Sequence, residues 1–168
     1  MKVVAFFGRT KTGKTSLIER LIAELKGMGY RVLAVKHVNL KGFSLDTPGK
    51  DTWRFTKAGA DRVICVSDVE FATLERVSGL DADSLLERIK GDFDLALLEG
   101  FHWLLKGRPE VQKVVLGNEI EDVEPFLEGE CNVLAITGRV AEGLGESYKG
   151  VRVLKPEEFG ELLELIKP

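Results

Sequence analysis

Nine residues, GRTKTGKTS at positions 8–16, constrain this chain more than any other stretch. They stand between a strand-length apolar run, KVVAFF (2–7), and an amphipathic segment, TSLIERLIAELKGMGY. They fit the pattern G-x-x-x-x-G-K-[ST] with Gly8, Gly13, Lys14 and Thr15. A phosphate needs backbone N–H groups that converge on it; glycines let the loop approach closely, and a following helix adds its positive end. In such a loop Lys14 neutralises β- and γ-phosphate charge and the Thr15 hydroxyl ligates Mg²⁺. Gly8, Arg9, Thr10, Lys11, Thr12, Gly13, Lys14, Thr15 and Ser16 are thus expected to contact a nucleotide's phosphates. A coincidental Gly/Lys surface turn is the bland alternative, and both flanking elements speak against it. Arg9 and Lys11 add two positive charges to the loop. Both are either simply solvated, or Arg9 reaches the transferring phosphoryl group of its own or a neighbouring subunit's nucleotide.

The rest of the chain alternates short buried runs with amphipathic segments. RVLAVKH (31–37), RVICVS (62–67), DLALLE (94–99) and NVLAIT (132–137) join KVVAFF as strands of the kind covered on both faces. The segment after the loop places Leu17, Ile18, Leu21, Ile22 and Leu25 at helical spacing, with Gly27 and Gly29 to stop it. Further helices are expected over Asp51 to Ala58, over DADSLLERIKG with Asp81 or Asp83 as cap, and from Pro156 with Phe159, Leu162, Leu163 and Ile166 inward. This alternation argues for an α/β fold, a mainly parallel sheet sandwiched by helices. FATLERV (71–77) and EVQKVVL (110–116) read as strands of a small antiparallel extension or edge. No repeat, low-complexity tract or linker divides the 168 residues, so a single nucleotide-binding domain, 1–168, is expected.

An acid at the end of a neighbouring strand is the other requirement of such a site. Four apolar residues after Asp94 place Glu99 at the carboxyl end of a buried strand, where ligands of parallel sheets bind, whereas Asp94 opens the same strand at the wrong end. Glu99 is the candidate to hold the metal or its water, the alternative being a carboxylate that caps a loop. A net charge of -3 gives no electrostatic reason to expect nucleic-acid binding, and no apolar run reaches membrane-span length. Cys65 and Cys131 lie in apolar runs with neither redox nor metal spacing, and two buried thiols in a cytoplasmic protein are expected.

GRTKTGKTSLIERLI, AVKH, DTPGKDTWRFTKAGA and LALLEGF, in that order and at these separations, resemble the family of molybdopterin-guanine dinucleotide biosynthesis protein B, MobB. The combination of Lys36-His37, PGKD followed by AGA, and Glu-Gly-Phe carries the likeness. The resemblance implies a P-loop NTPase fold and a homodimer that binds GTP with Mg²⁺ and is at most a slow GTPase. It also implies a role beside a MobA-like molybdopterin guanylyltransferase, with molybdopterin a possible further ligand, in making molybdopterin guanine dinucleotide. On this reading Lys14, Glu99 and Arg9 are the catalytic candidates, Thr15, Glu99 and Asp51 the metal candidates, and His37 and Asp51 further nucleotide contacts. A kinase acting on a small acceptor, or a scaffold that binds nucleotide without hydrolysis, are the competing readings. This chain departs from the family at His102, where Lys is usual, at Thr137-Gly138-Arg139, where Ser-Asp is usual, and at Asn39-Leu40.

No Asn-Lys-x-Asp motif is present, so the guanine preference rests on the resemblance, and Thr137 to Arg139 are the expected base neighbours by position. The one glutamine, Gln112, stands far in sequence from the loop, which argues for slow turnover. His37 either contacts phosphate, substrate or metal-bound water, or bonds loop backbone. Asp46-Thr47-Pro48-Gly49 has the spacing of a γ-phosphate-sensing switch, but LKGFSL before it is no buried strand. It reads instead as a second ligand-facing loop, with Asp46 and Asp51 near the metal and Lys50 and Arg54 facing an anionic pterin or phosphate.

Overall fold

The computed structural model describes residues 1–168. Five strands, β1 (Lys2–Phe7), β2 (Val32–Lys36), β5 (Leu95–Glu99), β6 (Gln112–Leu116) and β7 (Val133–Thr137), form one parallel sheet in the order β2-β5-β1-β6-β7. Between them run the helices α1 (Lys14–Gly27), α3 (Ala82–Arg88), α4 (His102–Leu105) and α5 (Ile120–Val123). A 3-10 turn at Pro156–Glu158 leads into the last helix, α6 (Phe159–Ile166). Pro156 therefore starts a 3-10 turn, and the α-helix proper begins three residues later.

The period of two in the strands explains the two packed faces. Val4 and Phe6 of β1, Leu95 and Leu97 of β5, and Val114 and Leu116 of β6 point to one side and form a core with Ile18, Leu21 and Leu25 of α1 and Phe159, Leu162 and Ile166 of α6. Phe7, Leu98 and Val115, offset by one residue, are buried on the other side, as are Phe101 and Leu105 beside α4. Both faces of β1 and β5 are covered, so their runs are almost wholly apolar, as buried parallel strands require, while the edge strand β2 leaves Ala34 and Lys36 exposed.

The chain divides into two compact units, Met1–His37 with Ala82–Pro168, and Val38–Asp81. The second unit contains α2 (Asp51–Ala58) and an antiparallel hairpin of β3 (Arg62–Val66) and β4 (Phe71–Glu75), paired from Arg62↔Glu75 to Val66↔Phe71. A second small antiparallel pair, β8 (Ser147–Tyr148) with β9 (Val151–Arg152), lies in the first unit.

Two strand expectations are corrected. RVICVS is not a strand of the main sheet: Ser67 N–H donates to Glu70 O at 2.8 Å, closing a tight turn that sends the chain straight back as β4. A parallel neighbour would have needed a crossover of a dozen residues or more. EVQKVVL, in turn, is neither antiparallel nor an edge, because β6 pairs parallel with both β1 and β7. The misleading polar residue is Lys113, which is fully buried and whose ammonium donates to the carbonyls of Arg108 at 2.6 Å and Cys131 at 2.8 Å. FATLERV is the antiparallel strand β4, as expected.

The cysteine expectation fails for the same reason as the first. Cys65 is exposed because only Val63 of β3 is buried, and Cys131 is half-buried in the loop before β7. No helix of the structure is long and apolar enough to cross a membrane.

Candidate functional site

The loop between β1 and α1 wraps back over itself. Gly8 has φ +146°, and a Cβ there would stand 2.3 Å from Leu116 O, so only glycine lets β1 pass this close to the end of β6. Thr12 is buried and donates to Arg9 O at 2.9 Å, which closes the loop. Gly13 caps α1 with φ 88°, and Leu17 N–H bonds back to Gly13 O. The first turn of α1 carries no acidic residue, so nothing offsets its positive end.

Lys14 Nζ lies within the loop, donating to Gly8 O at 2.9 Å and Arg9 O at 2.5 Å. Burial is the main influence on its pKa and lowers it; Glu99 nearby raises it and Lys36 lowers it. Its ammonium is therefore held over the loop by carbonyls that a phosphate can replace as the partner.

Parallel pairing brings the acid to this loop. Phe6 and Lys36 are both level with Glu99, at the carboxyl ends of β1, β2 and β5. Thr15 Oγ1 donates to Glu99 Oε2 at 3.0 Å, and Lys36 Nζ stands 2.6 Å from Glu99 Oε1. The Glu99 side chain is 16% exposed, while that of Lys36 is 55% exposed. Thr15 and Glu99 suit a magnesium ion. Two oxygens 3.0 Å apart match neighbouring positions of an octahedron with ligands at about 2.1 Å, and the same spacing suits a carboxylate that holds a metal-bound water. No cluster of three or more His, Cys, Asp or Glu side chains offers a cage made by the protein alone. That is the usual situation for magnesium, which keeps waters and takes phosphate oxygens. In the sequence Lys36 stands out only as the neighbour of His37; its contact with Glu99 comes from the β2–β5 register, which sets the two residues level on adjacent strands.

The other expected residues are placed as follows. Arg9 lies 3.5 Å from the Asp122 carboxylate, which belongs to the capping box of α5. Thr10 and Lys11 are exposed at the loop tip, with Lys11 O accepting from Asn118 Nδ2 at 3.4 Å, and Ser16 is exposed in the first turn of α1. His37 N–H donates to Glu99 O at 3.0 Å, and its ring packs 5.3 Å from that of Phe101 and 6.0 Å from that of Trp103. The His37 backbone thus continues the β2–β5 ladder, and its ring rests on an aromatic pair. Asp51 belongs to the second unit, at the start of α2, with its carboxylate 3.3 Å from Arg54. Asp46 accepts from Thr47 N–H at 2.9 Å and from Thr52 Oγ1 at 2.8 Å, a local turn in place of a strand-end switch.

His102 lies on the other face of the sheet, edge-on to the rings of Phe7 and Phe126. Its Nε2 is 3.2 Å from Glu130 Oε1. Burial lowers its pKa more than the Glu130 carboxylate raises it. Glu130 in turn lies 3.6 Å from the buried Lys113 ammonium and accepts from Gly107 N–H at 3.1 Å. His102 thus packs against Phe7 and Phe126 and makes its polar contact with Glu130.

Residues 3–138 match the family model of MobB, molybdopterin guanine dinucleotide synthesis protein B. A Haemophilus influenzae protein named molybdopterin-guanine dinucleotide biosynthesis adapter protein is 34% identical over 131 residues, 77% of this chain and 70% of that one. An Escherichia coli protein of the same name is 34% identical over 118 residues, 68% of this chain and 64% of that one. The crystal structure of Bacillus subtilis MobB superposes with a TM-score of 0.75 at 26% identity, covering 99% of both chains. A crystal structure of molybdopterin-guanine biosynthesis protein B gives a TM-score of 0.68 at 30% identity, over 98% of this chain and 95% of the other. With the phosphate loop, its Thr15–Glu99 pair and the parallel sheet on which both stand, these likenesses establish that the chain belongs to the MobB family.

Proposed function

We propose that this protein is an accessory factor of molybdenum cofactor biosynthesis that binds GTP with Mg²⁺ and assists a MobA-like guanylyltransferase in converting molybdopterin to molybdopterin guanine dinucleotide. One observation carries the nucleotide part: Lys14 and Thr15 at the start of α1 meet Glu99 at the end of β5, with Thr15 Oγ1 3.0 Å from the carboxylate. The adapter names of the relatives support the pathway. In this reading Thr15 and Glu99 hold the metal or its water, Lys14 meets the terminal phosphates, and the backbone from Gly8 to Ser16 receives the rest.

Hydrolysis is slow on this reading. Gln112 is the chain's one glutamine; it lies in β6 level with Val4, while Phe7 at the loop end of β1 is level with Val115, so Gln112 cannot orient an attacking water at the loop. Arg9 is engaged by Asp122 and must leave it to reach a phosphoryl group. The chain is proposed to act as one nucleotide-binding domain in the cytoplasm, and as a homodimer. The apolar residues exposed on the hairpin, among them Ile64, Val66 and Phe71, support the last point.

Calorimetric titration with GTP and Mg²⁺ tests the nucleotide reading. Wild-type protein should bind, Lys14→Ala should lose about 10- to 100-fold in affinity, in line with removing a charge-assisted contact, and Thr15→Ala should lose the Mg²⁺ dependence. Unchanged affinity in both variants would overturn it. Asp51→Asn tests the metal role proposed for Asp51, which is discarded if Mg²⁺-dependent binding is unaltered. Guanylyl transfer to molybdopterin by a MobA-like enzyme, with and without this protein, tests the accessory role; no effect on yield or rate would count against it.

A further inference from the structure

The phosphate loop is held from outside by one short segment, which runs from the end of β6 into α5. Leu116 O lies so close to Gly8 that only glycine fits there. Asn118 Nδ2 donates to Lys11 O at 3.4 Å, and the Asp122 carboxylate stands 3.5 Å from Arg9 Nε. Three points of the loop, its first residue, its second and its tip, thus rest on Leu116, Asp122 and Asn118. The tip needs such support: Lys11 has φ 65°, a conformation that residues other than glycine seldom keep without a restraint. These contacts lie apart from a pocket of about 270 Å³ beside the loop, which Gly13, Arg20, Thr137 and Gly138 help to line and to which neither Arg9, Asn118 nor Asp122 contributes.

We propose that Asn118 and Asp122 are positioning residues that brace the phosphate loop in its phosphate-receiving shape, with Arg9 as the strut that Asp122 holds. The inference rests on the nucleotide reading above and concerns how the loop is kept ready. The Arg9 backbone supports this direction. Its carbonyl accepts from Thr12 Oγ1 at 2.9 Å and Lys14 Nζ at 2.5 Å within the loop, while its side chain reaches out to α5. Asp122 is itself fixed: its Oδ2 accepts from the N–H groups of Asn118 at 3.0 Å and Glu119 at 3.4 Å, which leaves Oδ1 for Arg9. The Asp122 side chain is 17% exposed and that of Arg9 59%, so the anchor is the enclosed partner. A loop already held in its bound shape spares the ligand the cost of ordering it, so a brace shows as affinity. An ion pair of this exposure supplies up to about a fivefold effect, and a neutral hydrogen bond about two- to tenfold.

The test is calorimetry with GTP and with GDP, each with Mg²⁺, beside amide exchange of the ligand-free full chain. Asp122→Asn keeps an oxygen for the α5 cap and removes the charge that holds Arg9. It should weaken GTP and GDP alike, by about two- to fivefold. The sign discriminates: if Arg9 swings to the phosphates, or if Asp122 only repels them, neutralising Asp122 should tighten GTP binding, and that result would overturn the brace. Arg9→Ala should match Asp122→Asn, and the double variant should lose no more than either single one. Arg9→Lys keeps a cation for Asp122 and should stay within about twofold of wild type. Additive losses, or a larger loss for GTP than for GDP in Arg9→Ala, would make Arg9 a phosphate ligand and overturn the assignment. Without ligand, the amides of residues 9–12 should exchange about two- to fivefold faster in Asp122→Asn and in Asn118→Ala, with those of β1 and β5 unchanged. If wild-type protein binds neither nucleotide, the nucleotide reading falls and exchange alone decides on the brace; unchanged exchange in both variants would overturn it.

Discussion

Lys36 Nζ stands 2.6 Å from Glu99 Oε1, on neighbouring parallel strands that bring the two residues level. The other carboxylate oxygen accepts from Thr15, so Glu99 serves the phosphate loop and the edge strand together.

On the proposed reading, in which Glu99 holds the metal or its water, Lys36 competes with the magnesium ion for the same carboxylate. A pair with one half-exposed partner is worth up to about 1 kcal/mol, a factor of about five. Lys36→Met should therefore lower the Mg²⁺ concentration that half-saturates GTP binding by about two- to fivefold, measured by Mg²⁺ titration at fixed nucleotide. A raised requirement would show instead that Lys36 acts on the ligand.

Gly8→Ala places a methyl group 2.3 Å from a backbone oxygen at a φ that L residues rarely adopt. The neighbour is a carbonyl of β6 and cannot rotate away. A loss of about 2 to 4 kcal/mol is expected, lowering Tm by roughly 5 to 15 °C for a chain of this size. Differential scanning calorimetry checks it, and nucleotide binding should be lost with the loop's shape.

Lys113 and Glu130 are the buried counterpart, with both side chains fully enclosed and 3.6 Å between ammonium and carboxylate. Removing either partner leaves the other charge without its match. Lys113→Met or Glu130→Gln alone should cost about 3 to 5 kcal/mol, and the double variant less than the sum. Denaturant unfolding of the three variants measures the coupling, and strict additivity would show that the carbonyls of Arg108 and Cys131 suffice for the ammonium.

His102 supplies a pH dependence. Its folded-state pKa is lowered, first by burial, from an ordinary value near 6.5, so the unfolded chain binds the proton more readily. This penalty is absent at higher pH and grows as pH falls below about 6.5; stability should decline from pH 7 toward pH 5. The decline should be shallower in His102→Gln, as followed by Tm against pH. Equal slopes would assign the effect to other groups.

What the sequence made legible was local. The phosphate loop and α1 are contiguous, so glycine spacing and helical period show them directly, and Glu99 follows from four apolar residues ahead of it. The strands β3 and β6 were harder because a short apolar run does not state its partners. Lys113 made a fully buried strand look half-polar, since burial of an ammonium depends on carbonyls supplied from elsewhere. The pocket beside the phosphate loop was legible only in part: Thr137 and Gly138 follow from their place at the end of a late strand, but Arg20 and Phe159 meet through tertiary packing alone.

The exposed hairpin has a consequence for how the molecule responds to its own concentration. Of the residues in Val38–Asp81, Val63 alone is buried, while Phe43, Leu45, Ile64, Val66, Val69 and Phe71 are open to solvent. A segment of this size lacks the enclosed apolar area to order itself unaided. If a second copy supplies the cover, mass action stabilises the hairpin as protein concentration rises, while the sheet's own core gains nothing of the kind. Amide exchange in β3 and β4 should then slow on going from dilute to concentrated solution, with the amides of β1 and β5 as the internal reference.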